Sequence, residues 1–182
     1  MIDPLIPRIL AVGFGLLWLG AAWHKFAARE LFRGVLADYR LLPAGSLVFV
    51  SWLLPTVEAA LAAAWLLALW PVVTVSATAM VLGAYATAIA INLSRGRRHI
   101  ACGCGFSPDT GEQSLSWTLV LRNLLLVLAA ATTLLPQTLR PLSIADHVVL
   151  VLALLVAMLL NTAVMQLLRN RGAFRAWSKA HE

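Results

Sequence analysis

The feature of this 182-residue chain that most suggests chemistry is a pair of cysteines separated by one glycine. Cys102 and Cys104 are its only cysteines, and Gly103 and Gly105 follow them in turn. A disulfide between residues this close closes a small ring, and a disulfide far from relaxed geometry is easier to reduce. The glycines allow the unusual backbone dihedral angles that such a ring needs. We therefore interpret the pair as redox-active.

The surroundings of the pair favour the thiolate, which is the reactive form of cysteine. An apolar run that starts at Trp117 predicts a helix N-terminus shortly after the pair, and a helix N-terminus and nearby cations both stabilise a thiolate. Two other interpretations stay open: a soft-metal site for copper or zinc with ligands from elsewhere in the chain, and two unreactive thiols. Four basic residues precede the cysteines: Arg95, Arg97, Arg98 and His99.

The composition places these cysteines in an integral membrane protein. Hydrophobic residues make up 61% of the chain, charged residues make up 12%, and the mean hydropathy is +0.85. Soluble domains carry about twice that charged fraction, roughly 25%. The formal net charge of +6 comes from residues between the apolar runs, which is the distribution expected of membrane topology. We therefore predict a lipid bilayer as partner, and no nucleic acid.

Five apolar runs predict an all-α, polytopic bundle that forms one integral membrane domain, 1–182. The segment 27–43 alternates charged and apolar residues at helical spacing, which predicts an amphipathic helix at the membrane interface. Trp70-Pro71 breaks a run about twice as long as one membrane crossing. A thin basic start argues against a cleaved signal peptide. The predicted helices are 9–26, 47–70, 71–93, 117–135 and 144–168, with a cysteine loop at 94–116 and a basic tail at 169–182.

The basic residues also predict an orientation for this multi-pass protein in a bacterial inner membrane. Eleven Lys and Arg residues fall on the side of the five-helix path that carries the cysteine loop, and two fall on the other side. Cytoplasmic loops carry the excess of Lys and Arg in membrane proteins. This rule places the cysteine loop in the cytoplasm.

Polar residues within the apolar runs are the next candidates, because ionisable groups at membrane depth are costly and often functional. Glu58 lies near the middle of the second predicted helix, and Arg122 and Asn123 lie near the start of the fourth. With Asn92 and Asn161 they predict a polar layer under the cysteine loop, in which Arg122 holds a thiolate, a quinone oxygen or Glu58. The alternative is an arginine that reaches the interface and asparagines that bond neighbouring helices.

His24 and Lys25 close the first predicted helix, and we interpret both as interfacial anchors. Proton relay by His24 is the alternative. Most of the seven tryptophans fall towards predicted helix ends, where interfacial aromatic rings are expected. No aromatic cofactor site is needed to explain them.

The cysteine motif also carries a resemblance to a known family. Ala101-Cys102-Gly103-Cys104-Gly105-Phe106, followed by Ser116-Trp117 and Leu121-Arg122-Asn123, resembles the MauE methylamine utilisation proteins. Gly20, Lys25-Phe26, Glu58 and the segment Tyr39-Arg40-Leu41-Leu42-Pro43 are similar to the wider group of MauE and DoxX-like membrane proteins. The resemblance extends from Gly13 to about Leu135, and the cysteine motif with the Arg-Asn pair is its specific part.

This resemblance implies a role in maturing the beta subunit of methylamine dehydrogenase, a periplasmic quinoprotein with many disulfides. It implies a thioredoxin-like partner, MauD, and thiol-disulfide exchange at Cys102 and Cys104. A four-helix core with cysteines before its last helix also resembles the vitamin K epoxide reductase and DsbB type of oxidoreductase. That second resemblance implies a membrane quinone as the candidate cofactor.

Two expectations conflict at this point. A site that forms disulfides in a periplasmic client should face the periplasm, whereas the basic residues place the cysteine loop in the cytoplasm.

Two other functions stay open. One is a non-catalytic assembly or export factor, and the other is a small metal-handling or transport protein in which Glu58 and Arg122 line a path.

Overall fold

Helices make up the architecture of this chain. The computed structural model describes residues 2–97, 115–138 and 140–179, with only the backbone described at 161, 164, 165 and 167–179. Within these residues there is no β-strand, only an isolated bridge between Ile2 and Gln137. The all-α prediction is confirmed. The elements are α1 (Leu5–Ala27), α2 (Arg29–Tyr39), a 3₁₀ turn (Ala44–Ser46), α3 (Leu47–Leu66), α4 (Pro71–Ser94), α5 (Trp117–Thr132) and α6 (Ile144–Lys179).

Within the described residues, three stretches are long and apolar enough to cross a membrane. They are α1 with 23 residues, Ala44–Leu66 with 23 and α4 with 24. A helix needs about 20 residues to cross the hydrocarbon core of a bilayer. The helix α5 and the Ile144–Leu160 part of α6 are shorter apolar helices. Large apolar side chains such as Phe49 and Trp70 are exposed, as expected of a surface that faces lipid.

The predicted breaks between helices agree with the structure, and their exact positions differ. The amphipathic segment forms α2, which ends where Arg40 adopts a left-handed φ of 48°. The break predicted at Trp70-Pro71 is present, but α3 already ends at Leu66 and a four-residue turn precedes α4. The last helix continues to Lys179 instead of ending near residue 168, because no proline interrupts the basic tail.

The chain forms two compact units, 1–138 and 139–182. In the first unit α1 packs along α3, α4 packs along α5, and α2 lies against α3 and α1. The rings of Phe14 and Trp65 stack between α1 and α3 with centroids 4.8 Å apart. The main core consists of Phe14, Trp18, Leu61, Ala62, Trp65, Val75, Leu82 and Ala130.

In the second unit, a capping box starts α6. Ser143 Oγ accepts a hydrogen bond from the Asp146 backbone N–H at 3.3 Å, and the Ser143 N–H donates to Asp146 Oδ2 at 2.7 Å. The Arg140 guanidinium donates to both carboxylate oxygens of Asp146, at 2.7 and 2.9 Å. These contacts fix the direction in which the chain enters α6.

Gly15 in α1 lies directly against the Leu66 side chain at the end of α3. A Cβ atom on Gly15 would lie 2.5 Å from Leu66 Cδ2 and 2.6 Å from Leu66 Cγ, so the Leu66 side chain would have to move. We expect Gly15→Val to lower the free energy of unfolding by about 1–3 kcal/mol, as overpacking does in cores. The measurement is thermal unfolding in detergent.

Gly83 provides the matched control for this substitution. It also lies in a membrane-spanning helix, α4, but a Cβ there would meet no atom within 4 Å. Gly83→Val should therefore leave the unfolding temperature close to that of the wild type. Equal stability of the two variants would mean that the α1–α3 contact does not depend on Gly15.

Candidate functional site

The cysteine pair itself lies outside the described residues. Cys102, Gly103, Cys104 and Gly105 fall in the segment 98–114, together with Arg98 and His99. Their roles remain predictions from the sequence. The structure describes the residues on either side, from α4 to Arg97 and from Leu115 into α5.

The two ends of the cysteine loop are packed against each other. Ile89 and Leu93 from the end of α4 form a buried cluster with Leu115, which lies two residues before the start of α5. Leu115 is 2% exposed although it lies only eleven residues after Cys104. Tyr39 from the end of α2 packs against the same cluster. The loop therefore leaves the bundle and returns to it at one place.

The end of α4 is itself held in a defined conformation. The Arg97 N–H donates to Asn92 O at 3.0 Å, and the Gly96 N–H donates to Leu93 O at 3.0 Å, with Gly96 at a φ of 71°. This is the Schellman arrangement, which places glycine in the left-handed conformation after a helix. Arg97 Nη1 also donates to Asn92 Oδ1 at 3.3 Å. The first described residues of the loop are thus tied back to α4.

The residues of the predicted polar layer can be described one by one, and the layer itself stays a prediction. Asn92 is fully buried, and its Nδ2 donates to Ala88 O at 3.1 Å. Asn123 is 3% exposed and donates to Leu119 O at 3.0 Å. Within the described part of the chain, both amide nitrogens thus donate to their own helix rather than to a neighbouring one. Arg122 is partly exposed, and its Nε has no hydrogen-bond partner among the described residues. The side chain of Asn161 lies outside the described part.

Glu58 is a buried acidic residue in the first unit. It lies eleven residues into α3, about 16 Å along the helix axis, and its side chain is fully buried. Its Oε1 accepts a hydrogen bond from the Lys25 ammonium and another from Tyr85 Oη at 2.6 Å. Lys25 Nζ and Tyr85 Oη are 3.5 Å apart. Three helices therefore meet at one carboxylate.

The antiparallel course of the helices brings these three residues together. Near the end of α1, Phe26 packs on Trp52 early in α3, while Phe14 packs on Trp65 at the far end of α3. Lys25 therefore lies beside the middle of α3 and extends its long side chain inward. Between α3 and α4, Trp65 Nε1 donates to Thr78 Oγ1 at 2.9 Å and holds the same antiparallel register.

The interpretation of Lys25 as an interfacial anchor is therefore wrong. Lys25 is 5% exposed and pairs with Glu58 inside the bundle. Its ammonium also lies 5.4 Å from the centre of the Phe32 ring and 5.2 Å from that of Tyr85, within the range of cation–π attraction. Among the described residues, Arg122 is not a partner of Glu58. One feature of the sequence indicated such an ion pair, because an acidic residue inside an apolar helix is costly unless a cation lies beside it.

A cavity of about 270 Å³ adjoins this group of three residues. Lys25 and Tyr85 line it on the side of α1 and α4, and Phe32 and Tyr39 from α2 line the opposite part. Apolar side chains of α3, α4 and the segment after α2 form most of the remaining wall. The sequence did not predict this cavity. Its walls come from α2, the turn after α2 and the other helices, and contacts between such distant segments leave no local sequence pattern.

No three His, Cys, Asp or Glu side chains come together as a metal site within the described residues. The soft-metal interpretation concerns Cys102 and Cys104, which lie outside that part of the chain. Copper or zinc binding at the cysteines thus remains one of the open interpretations of the motif.

These features define a small polytopic α-helical membrane protein with a buried ion pair and a cysteine loop at one end of its helices. Residues 4–136 match the family described as methylamine utilisation protein MauE, and the chain belongs to this family. The family resemblance inferred from the cysteine motif is confirmed.

Several relatives carry the same description, methylamine utilization protein MauE. The relative from Paracoccus denitrificans is 39% identical over 137 residues, which cover 74% of this chain and 73% of the relative. The relative from Paracoccus versutus is 37% identical, with 79% of this chain and 77% of the relative covered. The relative from Methylophilus methylotrophus is 33% identical over 59% of this chain and 57% of its own. No solved structure matches the chain significantly.

Proposed function

We propose that this chain is an inner-membrane maturation factor for the beta subunit of methylamine dehydrogenase. Membership of the MauE family supports a role in the methylamine utilisation system. The proposal adds the reaction: Cys102 and Cys104 take part in thiol-disulfide exchange with the beta subunit or with a thioredoxin-like partner. It also adds the place of the reaction, the loop between α4 and α5.

The observation that carries this proposal is the packing at the two ends of the cysteine loop. Leu115 is buried against Ile89 and Leu93, and the Schellman turn at Gly96 ties the other end to α4. A reactive pair works best on a rigid support that limits where it can lie. A disulfide across the Cys-Gly-Cys spacing would close a small ring and would be readily reduced.

One turnover of the exchange needs only the Cys102–Cys104 disulfide and two thiols of the client. A client thiolate attacks one sulfur of a Cys102–Cys104 disulfide, the bond between the two sulfurs breaks, and a mixed disulfide forms. A second client thiolate then attacks the client sulfur of that mixed disulfide. The client gains a disulfide, and Cys102 and Cys104 leave as two thiols that have gained two electrons and two protons.

The direct test is to trap the mixed disulfide. In Cys104→Ser the Cys102 thiolate can still attack a disulfide of the oxidised client or of a thioredoxin-like partner, and no neighbouring thiol then displaces it from the mixed disulfide. We therefore expect a covalent adduct that survives a non-reducing gel and is released by dithiothreitol. Mass spectrometry should identify the beta subunit or a thioredoxin-like protein in it. The control is the double variant Cys102→Ser/Cys104→Ser, which cannot form an adduct. Absence of an adduct in both single variants would contradict the proposal.

Direct exchange with a periplasmic client also requires the loop to face the periplasm, against the count of basic residues. One residue of that count, Lys25, is buried and paired with Glu58, and so lies at no interface. We expect a membrane-impermeant maleimide to label Cys102 and Cys104 in intact spheroplasts after reduction. Labelling only after lysis would replace direct exchange by electron delivery from the cytoplasm.

A further inference from the structure

We propose that the cavity beneath α2 is a binding site for the ring of a membrane-dissolved isoprenoid quinone, with the Lys25 ammonium donating to a ring oxygen. The site is made by α1, α2, α3 and α4 of the first unit. Binding there does not depend on the reaction proposed for the cysteines.

The walls of the cavity suit a flat, mostly apolar ligand. Among the described residues, its polar lining side chains are Lys25, Tyr39 and Tyr85, and the others are aliphatic or aromatic. Small-molecule sites are usually apolar clefts with a few polar groups that fix the orientation of the ligand. The volume of about 270 Å³ has room for a substituted six-membered ring rather than for a whole lipid.

The charge of the site selects a neutral ligand. The ammonium of Lys25 is compensated by the carboxylate of Glu58, so the pair has no net charge. A phosphate or carboxylate head group would add an uncompensated anion in an apolar surrounding, which is costly. A quinone is neutral and offers carbonyl oxygens as acceptors.

Lys25 has the donor capacity that such an acceptor requires. An ammonium group carries three N–H donors. Among the described residues, Glu58 Oε1 accepts one and Tyr85 Oη lies at 3.5 Å from Nζ as the second partner. Lys25 also lines the cavity, so its third donor can serve a ligand there. A carbonyl oxygen would then complete the hydrogen bonding of the ammonium.

The cavity is also placed where a membrane-dissolved molecule can reach it. One of its lining residues, Leu42, is 38% exposed and lies in the segment that follows the amphipathic α2. Since an amphipathic helix of this kind lies at the membrane interface, we expect this part of the cavity to lie at the depth of the head groups and the upper acyl chains. A ring could enter from the bilayer while its isoprenoid tail stays in lipid.

The same wall reaches the anchor of the cysteine loop. Tyr39 and Ile89 line the cavity, and both also pack in the cluster that buries Leu115. The following consequence rests on the proposed function. Two thiols at Cys102 and Cys104 would lose two electrons and two protons and form a disulfide, and the quinone would gain both and leave as the hydroquinone. This reaction regenerates the oxidant for the next client.

The test is a titration of the purified full-length chain in lipid nanodiscs with decylubiquinone, followed by isothermal calorimetry. We expect saturable binding, and at least a tenfold loss of affinity in Ala88→Phe, because Ala88 lines the cavity and a larger ring would fill it. The control Thr87→Phe adds the same ring to an exposed position of α4 and should stay within twofold of the wild type. Leu36→Trp fills the cavity from α2 and replaces Ala88→Phe if that variant does not fold.

Two further arms separate this proposal from its alternatives. The variant Cys102→Ser/Cys104→Ser should bind decylubiquinone like the wild type, so a failed cysteine reaction and a failed quinone site give different results. A titration with phosphatidylglycerol should not displace the quinone. Displacement by this lipid, absence of saturable binding to the wild type, or unchanged affinity in both cavity-filling variants would overturn the proposal.

Discussion

Replacing Glu58 by alanine is expected to lower the free energy of unfolding by about 3–5 kcal/mol, the range found when one partner of a buried ion pair is removed. The physical reason is the Lys25 ammonium, which is 5% exposed and has Glu58 as its carboxylate partner. Without Glu58 a buried cation stays in an apolar surrounding. The same variant also removes the hydrogen bond that the Tyr85 hydroxyl donates to Glu58 Oε1. Thermal unfolding in detergent, followed by circular dichroism, measures the effect.

Two controls decide whether this loss comes from the buried charge. Glu30 pairs with Arg33 at 2.8 Å on α2, but its side chain is 67% exposed, so Glu30→Ala should cost at most about 1 kcal/mol. The double variant Lys25→Met/Glu58→Leu replaces both charges by apolar side chains and should recover most of the stability lost in Glu58→Ala. If Glu58→Ala is as stable as Glu30→Ala, the pair does not hold the three helices together.

Cys102→Ser and Cys104→Ser are each expected to reduce the mature beta subunit at least tenfold in cells that carry no other copy of this chain. Each variant keeps the size and polarity of the loop but cannot close the intramolecular disulfide. The measurement is an immunoblot of the beta subunit, together with growth on methylamine as the nitrogen source.

The control for this prediction is Ser107→Ala, which changes a residue of the same loop without touching the thiols. All variants should be present in the membrane at wild-type amounts, because each substitution changes the size of one loop side chain only slightly. Normal maturation in both serine variants would favour the non-catalytic assembly factor and remove the redox role.

The helices could be predicted well because each depends on local sequence. Apolar runs of membrane length, the Trp70-Pro71 break and the amphipathic pattern of α2 are all visible in the sequence, and each corresponds to an observed element. The exact ends were less predictable. The end of α3 at Leu66 depends on left-handed conformations at Ala68 and Trp70. Neither residue is a glycine, so the sequence does not indicate these conformations.

The partner of Glu58 could not be predicted in the same way. The carboxylate was recognised as costly at membrane depth, but Lys25 lies 33 residues before it, and only the packing of α1 on α3 brings them together. Tyr85 carries no sequence signal, because a tyrosine in an apolar helix is common. The cavity depends on how α2 and the turn after it cover the bundle. Local pattern contains no information on these contacts.

The measurement that tests the central claim most directly is the redox state of Cys102 and Cys104 in membranes of methylamine-grown cells. Free thiols are blocked with one maleimide after acid quenching, disulfides are reduced, and the released thiols are labelled with a heavier maleimide. Since the chain has only two cysteines, the mass of the labelled protein reports the pair directly. We predict a population in which both cysteines carry the second label and which becomes fully reduced when respiration is blocked. Two thiols that always take the first label would contradict thiol-disulfide exchange at this pair.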